Sequence, residues 1–256
     1  MNDLPVLWRP QLDTIYQFDA LAFLRQMESE SVDIVVTSPP YNLSWHKSSN
    51  SGMFQELKWV SDFWSGYENY SDSLPEMDYQ KWMHSIIAEC LRVSKGLVWV
   101  NHKTRFRDGI GIHPLSFLTF PLWSEVVWNR GGSMTLNSRR FAPSHEYVFG
   151  FGRPHYWNDA HNTAMTVWRV NPPSGKSHPC PYPEALIRPL IDASCPPGGI
   201  VLDPFIGSGT TAIASLAANR HYIGCDISPQ YVAEARRRLG YGVTVPMFAL
   251  PESEAS

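Results

Sequence analysis

The sequence has 256 residues, of which 43% are hydrophobic, and a formal net charge of −3 at pH 7. No apolar run approaches the roughly 18 residues of a membrane-spanning helix, and the amino terminus lacks the order of a signal peptide, so we expect a cytoplasmic protein. The four cysteines form no CxxC pair, and we therefore predict neither a metal site nor a disulfide framework.

Short and long apolar segments alternate along the chain. The short ones predict strands at 32–36, 97–100, 125–128, 146–152, 199–203 and 221–226. The long ones have helical spacing and predict helices at 20–29, 79–96, 181–194, 210–220 and 228–239. This alternation, with near-continuous apolar strands, predicts one α/β domain whose mostly parallel sheet carries helices on both faces.

Three stretches do not follow this rhythm: residues 43–76, 131–144 and 153–177. They are rich in Ser, Asn, Gly, Pro and aromatic residues, and we expect them to form long loops. Loops of this length in a compact domain are usually functional.

The charge is distributed unevenly. Residues 1–94 contain six Lys and Arg against thirteen Asp and Glu, whereas residues 95–176 contain ten against four. Only the middle of the chain therefore resembles a surface that faces phosphates. The candidate DNA-binding residues are Lys103, Arg105, Arg139, Arg140, Arg153 and Lys176. The alternative is an ordinary solvated face.

The segment "TSPPYN", residues 37–42, follows the predicted strand 32–36. Two consecutive prolines stop strand pairing, because neither has an N–H to donate and each fixes its own φ. A hydroxyl, a rigid backbone and an aromatic ring are thus expected at the carboxyl end of a buried strand, where open α/β sheets bind ligands.

A second motif, "VLDPFIGSGTTA", spans residues 201–212. A strand, a turn with Gly207 and Gly209, and a helix form the geometry in which a backbone approaches a nucleotide-like cofactor. The motif is neither a Walker loop nor G-x-G-x-x-G. Asp226 ends the next strand and can accept hydrogen bonds from ribose hydroxyls, which favours an adenosine cofactor without a pyrophosphate. The alternative role for Asp226 is capping of the helix that follows.

Together the two motifs resemble those of the amino-methylating DNA methyltransferases, which transfer a methyl group from S-adenosylmethionine to the exocyclic amine of cytosine or adenine. "TSPPYN" precedes "DPFIGSGTT" here, as in the permuted β group. "FAPSHEYVFGFGR" and "KSHPCPYPEALIRPLI" extend the resemblance over most of residues 15–240. It implies a single Rossmann-like methyltransferase domain, residues 1–256, with 43–76 as a lid or DNA-contacting insertion and 131–177 as target-recognition loops.

The resemblance also implies the site residues. The catalytic ones are Ser38, Pro39, Pro40 and Tyr41. The cofactor-binding ones are Asp19, Thr37, His178, Asp203, Pro204, Phe205, Gly207, Ser208, Gly209, Thr210, Thr211, Asp226 and Ile227. The Ser38 side chain and the Pro39 carbonyl would accept the hydrogens of the target amine, and Tyr41 would stack on a base flipped out of the duplex.

Serine at the first catalytic position is commonest among the N(4)-cytosine enzymes of this family, so Ser38 favours cytosine. N(6)-adenine methylation is the alternative, and a non-catalytic DNA-binding specificity partner is a further one. Glutamine and RNA methylases fit less well, because their corresponding loop follows the cofactor motif. The resemblance implies double-stranded DNA as partner, no membrane, and a nucleoid-associated location in a prokaryote or phage. It leaves room for a homodimer and for a cognate restriction endonuclease.

Overall fold

The computed structural model describes residues 8–43, 74–132, 140–172 and 182–240. The strands in these ranges are β1 (Thr14–Gln17), β2 (Ile34–Thr37), β3 (Val98–His102), β4 (Arg105–Arg107), β5 (Ile110–Ile112), β6 (Leu122–Asn129), β7 (His145–Phe151), β8 (Val167–Arg169), β9 (Ile200–Asp203) and β10 (His221–Asp226). The α-helices are α1 (Ala20–Gln26), α2 (Glu76–Val93), α3 (Glu184–Ser194), α4 (Thr210–Ala217) and α5 (Pro229–Arg238).

Eight of these strands form one sheet in the order β1-β10-β9-β2-β3-β7-β6-β8. All neighbours are parallel except β3 with β7 and β7 with β6. The remaining two, β4 and β5, form a separate antiparallel hairpin. The mostly parallel α/β sheet expected from the sequence is therefore confirmed.

Alternating residues of the central strands face two apolar layers. On β2, Val35 packs into the layer that contains α1 and α2. Its neighbours Ile34 and Val36 face the opposite layer, which contains α3 and part of α4. Helix α5 covers the β1–β10 end of the sheet through Val232 and Ala235. A strand buried on both faces needs apolar residues at successive positions, which explains the run of Ile34, Val35 and Val36.

Several element predictions need correction. The stretch 153–177 is not wholly irregular, because β8 pairs in parallel with β6 and a short 3-10 turn spans Asp159–His161. Strand β8 has only three residues, two of them exposed, so it shows no apolar run. Strand β1 and the β4–β5 hairpin are also additional to the predicted elements. Helix α2 begins at Glu76, earlier than expected, directly after Pro75.

Some predictions lie outside the described residues, among them most of the 43–76 insertion. Among the described cysteines, Cys90, Cys195 and Cys225 are buried and free of disulfides. Within the described ranges no helix is long and apolar enough to cross a membrane.

Candidate active site

The two sequence motifs meet at one edge of the sheet. Strands β2 and β9 are parallel neighbours, so their carboxyl ends lie side by side. Thr37, the last residue of β2, donates its hydroxyl hydrogen to Oδ1 of Asp203, the last residue of β9, over 2.7 Å. The "SPPY" loop (residues 38–41) and the glycine loop (residues 204–209) therefore start from adjoining points.

Asp203 is fully buried and its carboxylate is saturated with donors. Its Oδ2 accepts hydrogen bonds from Tyr182 at 2.8 Å and Thr211 at 2.5 Å, and its Oδ1 accepts one from the Phe205 amide at 3.0 Å. Burial raises the pKa of Asp203, and the hydrogen bonds from Thr211 and Thr37 oppose that rise. Asp203 thus ties together the two loops and the segment that leads into α3.

Three of the predicted cofactor contacts have side chains engaged within the protein. The side chains of Thr37, Asp203 and Thr211 bond to one another and are almost completely buried. They fix the position of the loops, and their contact with the cofactor stays a prediction.

The glycine loop turns where β9 passes into α4. Gly207 and Gly209 have φ of +50° and +85°, a region that side chains disfavour. Pro204 and Ser208 are buried within the turn, and Phe205 packs edge-on against Trp82 of α2. The Ser208 carbonyl accepts a hydrogen bond from Arg238 of α5 at 2.6 Å, which anchors the loop from behind.

Asp226 ends β10 beside this loop. Its Oδ2 accepts a hydrogen bond from the Gly207 amide at 3.0 Å and its Oδ1 accepts one from the Ser228 amide at 2.8 Å. Burial raises the pKa of Asp226, and these two amides oppose the rise. The cap of α5 is Ser228 itself, whose hydroxyl accepts from Tyr231, so Asp226 is not the helix cap.

A nucleoside fits the chemistry of this edge. The Asp226 side chain is partly exposed, and each of its oxygens keeps a lone pair for a hydroxyl. Ile227 follows with 43% of its surface exposed and can offer an apolar contact. Asp19, just past the end of the neighbouring strand β1, is also exposed while it caps α1 through the Ala22 amide.

The "SPPY" loop folds back on the end of β3. Ser38 is half-buried, and its Oγ lies 3.0 Å from the Tyr41 hydroxyl. That hydroxyl lies 2.9 Å from Oδ1 of Asn101 and 3.3 Å from Oε2 of Glu146. The Tyr41 ring is only 4% exposed and lies 4.9 Å from the His102 ring, so the stacking of a base on Tyr41 stays a prediction.

These features belong to a recognisable family. The sequence model of the N6/N4 family, described as DNA methylase, matches residues 32–237. In an alignment 278 positions long, gaps included, the chain is 30% identical to the type II methyltransferase M.XycI of Xanthomonas campestris pv. cyanopsidis, and the alignment covers 88% of this chain and 87% of that protein. The chain belongs to the DNA methylase family.

Solved structures have the same fold as this DNA methylase. PvuII DNA methyltransferase, named as cytosine-N4-specific, superposes with a TM-score of 0.66 at 17% identity, over 92% of this chain and 88% of that one. TTHA0409 of Thermus thermophilus, solved as a complex with S-adenosyl-L-methionine, gives 0.62 at 20% identity, over 88% and 94%. At these identities the likeness shows the fold.

The predicted DNA-binding residues of the methylase lie in different places. Lys103 lies near the "SPPY" loop, with its Nζ 5.2 Å from the centre of the Tyr41 ring, and the Arg140 guanidinium stacks 3.6 Å from the centre of the Phe106 ring on β4. Arg153 follows β7, which runs antiparallel to β3, so it lies at the opposite edge of the sheet. It does not belong to the surface around Ser38.

Arg139 and Lys176, like His178 of the cofactor set, lie outside the described residues.

The prediction that Arg105 contacts DNA is wrong. This residue is 2% exposed, and its two terminal nitrogens each donate to a Glu76 oxygen at 2.7 Å. Its guanidinium also lies over the Tyr79 ring, 4.4 Å from the ring centre. A cation enclosed in this way cannot reach a phosphate, and it instead fixes the start of α2.

Sequence reasoning missed Asn101, Glu146 and Tyr182. Asn101 and Glu146 are polar positions at the ends of otherwise apolar strands β3 and β7, a signal that could have pointed to them. Their convergence on Tyr41 depends on strand order, which that signal does not contain. Tyr182 lies in the quoted "HPCPYP" segment, but nothing there indicates a bond to Asp203.

Proposed function

We propose that this DNA methylase transfers a methyl group from S-adenosylmethionine to the N(4) amine of a cytosine in duplex DNA. The observation that carries the proposal is the half-buried Ser38 hydroxyl, held at the end of β2 beside the glycine loop. When bound, S-adenosylmethionine supplies a methyl group on a sulfonium, which needs no further activation. The protein then has to bind and orient the cofactor and the target base, and to exclude water from the site.

The Ser38 hydroxyl and the Pro39 carbonyl would accept the two hydrogens of the target amine. The lone pair of that amine is delocalised into the base, and acceptors on both hydrogens favour the tetrahedral, nucleophilic form. Pro39 and Pro40 restrict the backbone and so hold these acceptors where positive charge develops on the nitrogen. The target base would reach them by flipping out of the duplex.

The cofactor would bind along the adjoining edge. Asp226 would accept hydrogen bonds from the ribose hydroxyls, the Gly207–Gly209 backbone would face the nucleoside, and Asp19 would lie near the amino-acid part. This assignment is supported by the fit of that edge to a nucleoside and by the complex of TTHA0409 with S-adenosyl-L-methionine.

Cytosine is preferred over adenine because Ser38 occupies the first catalytic position and because PvuII DNA methyltransferase is named as cytosine-N4-specific. We also propose that DNA lies over Lys103 and Arg140, with sequence reading by residues 131–177, and that the protein works in the cytoplasm. The homodimer and the cognate endonuclease stay predictions.

The test is an assay with labelled S-adenosylmethionine and mixed-sequence duplex DNA, followed by digestion to nucleosides and mass spectrometry. We expect labelled N(4)-methylcytosine. N(6)-methyladenine would keep the family and the site but overturn the choice of base. No labelled nucleoside, despite tight cofactor binding, would point to a non-catalytic role or to a missing partner.

Substitution of Ser38 tests its role directly. We expect Ser38→Ala to abolish methylation, because one acceptor for the amine is lost, while the Kd for S-adenosylmethionine measured by calorimetry stays unchanged. Ser85→Ala serves as a control, since that exposed hydroxyl on α2 bonds only to the carbonyl of Lys81. Undiminished turnover by the Ser38 variant would refute the assignment.

A further inference from the structure

The Ser38 hydroxyl has two protein acceptors on its buried side. Its Oγ lies 3.0 Å from the Tyr41 Oη and 3.5 Å from the Asn101 Oδ1. The Tyr41 Oη and the Asn101 Oδ1 are themselves 2.9 Å apart. The three polar atoms therefore form a closed triangle at the ends of β2 and β3.

The orientation of the Asn101 amide is fixed by the neighbouring strand. Its Nδ2 donates to the backbone carbonyl of Tyr147 on β7 over 2.9 Å, and the residue is only 4% exposed. The flipped amide would turn its oxygen against that carbonyl, with no hydrogen between the two atoms. The Asn101 Oδ1 thus faces the two hydroxyls, and it can only accept hydrogen bonds from them.

This arrangement offers the Ser38 hydrogen two acceptors on the inner side. When Tyr41 donates to Asn101, or to the Glu146 carboxylate 3.3 Å away, its oxygen can still accept from Ser38. Ser38 can then donate inward, to Tyr41 or to Asn101, and its lone pairs are left for a group outside. Hydrogen bonds in such a chain polarise one another, which strengthens the outermost acceptor.

We infer that Asn101 and the Tyr41 hydroxyl are positioning groups that hold the Ser38 hydrogen inward and so make Ser38 a pure acceptor for the target amine. The inference rests on the proposed function. A free serine hydroxyl could equally donate toward the base, an orientation that gives the amine no acceptor. A carboxylate at this position would need no such device, because it carries no hydrogen to direct.

The test measures single-turnover methylation by Y41F, N101L and the double variant. Each single variant keeps one of the two acceptors for the Ser38 hydrogen, so we expect modest losses in rate. The double variant removes both acceptors, and its fold-loss should exceed the product of the two single losses. The Kd for S-adenosylmethionine should not change, because neither group reaches the glycine loop.

A matched pair of variants separates this role from a structural one. N101D and N101L both remove the Nδ2 donor to Tyr147, but only N101D keeps an acceptor at the Oδ1 position. In the Y41F background we expect N101D to be about tenfold faster than N101L, which corresponds to roughly one hydrogen bond. Thermal melting of both chains checks that they fold alike.

The outcomes distinguish the inference from the proposed function. If the wild type methylates DNA and S38A does not, but N101D and N101L are equally slow, the inference is wrong and the proposed function stands. The inference is also wrong if the fold-loss in rate of the double variant equals the product of the two single losses. If S38A remains active, the proposed role of Ser38 fails, and the inference fails with it.

Discussion

Among single residues, the buried polar groups behind the "SPPY" loop form a second chain of hydrogen bonds. The Tyr79 hydroxyl lies 2.9 Å from the Pro40 carbonyl and 2.8 Å from the His102 Nε2, while the Lys103 amide lies 2.8 Å from the His102 Nδ1. One set of hydrogens satisfies these three contacts: Lys103 donates to His102, His102 to Tyr79, and Tyr79 to Pro40, while the Lys103 carbonyl, 2.8 Å from the same Nδ1, receives no hydrogen from it. That set requires a neutral imidazole.

The protonation of His102 should therefore couple stability to pH. Burial above all, helped by the positive charges of Arg105 and Lys103, lowers the pKa of His102 to about 3, whereas an unfolded histidine titrates near 6.5. Between these values the unfolded chain binds more protons, so stability falls as the pH falls. We expect this one group to lower the free energy of unfolding by about 1.4 kcal/mol between pH 7.5 and 5.5.

Urea denaturation of the wild type and of His102→Gln at both pH values measures this effect. Glutamine can still donate to Tyr79 but does not titrate, so that part of the pH dependence should disappear in the variant. Carboxylates that titrate in the same pH range contribute equally to the pH dependence of both proteins, so their contribution cancels in the difference between wild type and variant. Equal pH dependence of the two proteins would contradict the neutral assignment.

At the scale of elements, the glycine loop depends on how closely α5 packs against it. A Cβ on Gly209 would lie 3.0 Å from the Cβ and 3.2 Å from the Cα of Ala235. Since the Cα belongs to the backbone of α5, the helix itself would have to move. The loop and the helix therefore form one unit, and the position of Asp226, which bonds to both Gly207 and Ser228, depends on the same packing.

Two glycine substitutions isolate this contact. Gly209→Ala and Gly198→Ala both place a side chain at positive φ, +85° and +73°, which costs about 1–2 kcal/mol. Around Gly198 no atom lies within 4 Å of the added Cβ, so only that strain is expected. Gly209→Ala should lower the free energy of unfolding further and weaken binding of S-adenosylmethionine, whereas Gly198→Ala should leave binding unchanged. Calorimetry measures the binding, and urea titration measures the free energy of unfolding. Identical results for the two variants would show that the packing of Gly209 against α5 is unimportant.

At the scale of the whole molecule, the direction of each strand decides which charges share a surface. The parallel strands bring the "SPPY" loop, the glycine loop and Lys103 to one edge. The antiparallel strand β7 carries the chain back to the other edge before Arg153. The positive charge seen in residues 95–176 is therefore divided among the surface that we propose to face DNA, a buried ion pair and a remote site.

DNA affinity at several salt concentrations tests this division. Lys103→Ala and Arg140→Ala should each weaken DNA binding and reduce the slope of log K against log salt by about 0.9, since each removes one phosphate contact. The exposed Arg153 is the matched control, and Arg153→Ala should change neither quantity. Fluorescence anisotropy with a labelled duplex gives the slopes. If Arg153→Ala weakens DNA binding as much as the other two substitutions, DNA does not bind over Lys103 and Arg140 in particular.

Local sequence is sufficient to predict the features that depend on neighbouring residues. The apolar periodicity of segments such as 32–36 and 221–226 reflects local burial, so the central strands and the five described α-helices could be predicted. "SPPY" and "GSG" impose their turns through proline and glycine, and for that reason the two loops and their family could also be identified. Strands of three or four residues, such as β1 and β8, carry too little pattern for this.

Which polar groups meet, and which become buried, depends instead on the packing of distant segments. Ser38 and Asn101 are 63 residues apart and come together because β2 pairs with β3, a pairing that no local pattern encodes. The same packing encloses Arg105 against Glu76 and buries Asp203. A charged residue has the same sequence signal on a surface and in a buried pair, because its environment is set by the neighbours that the fold brings to it.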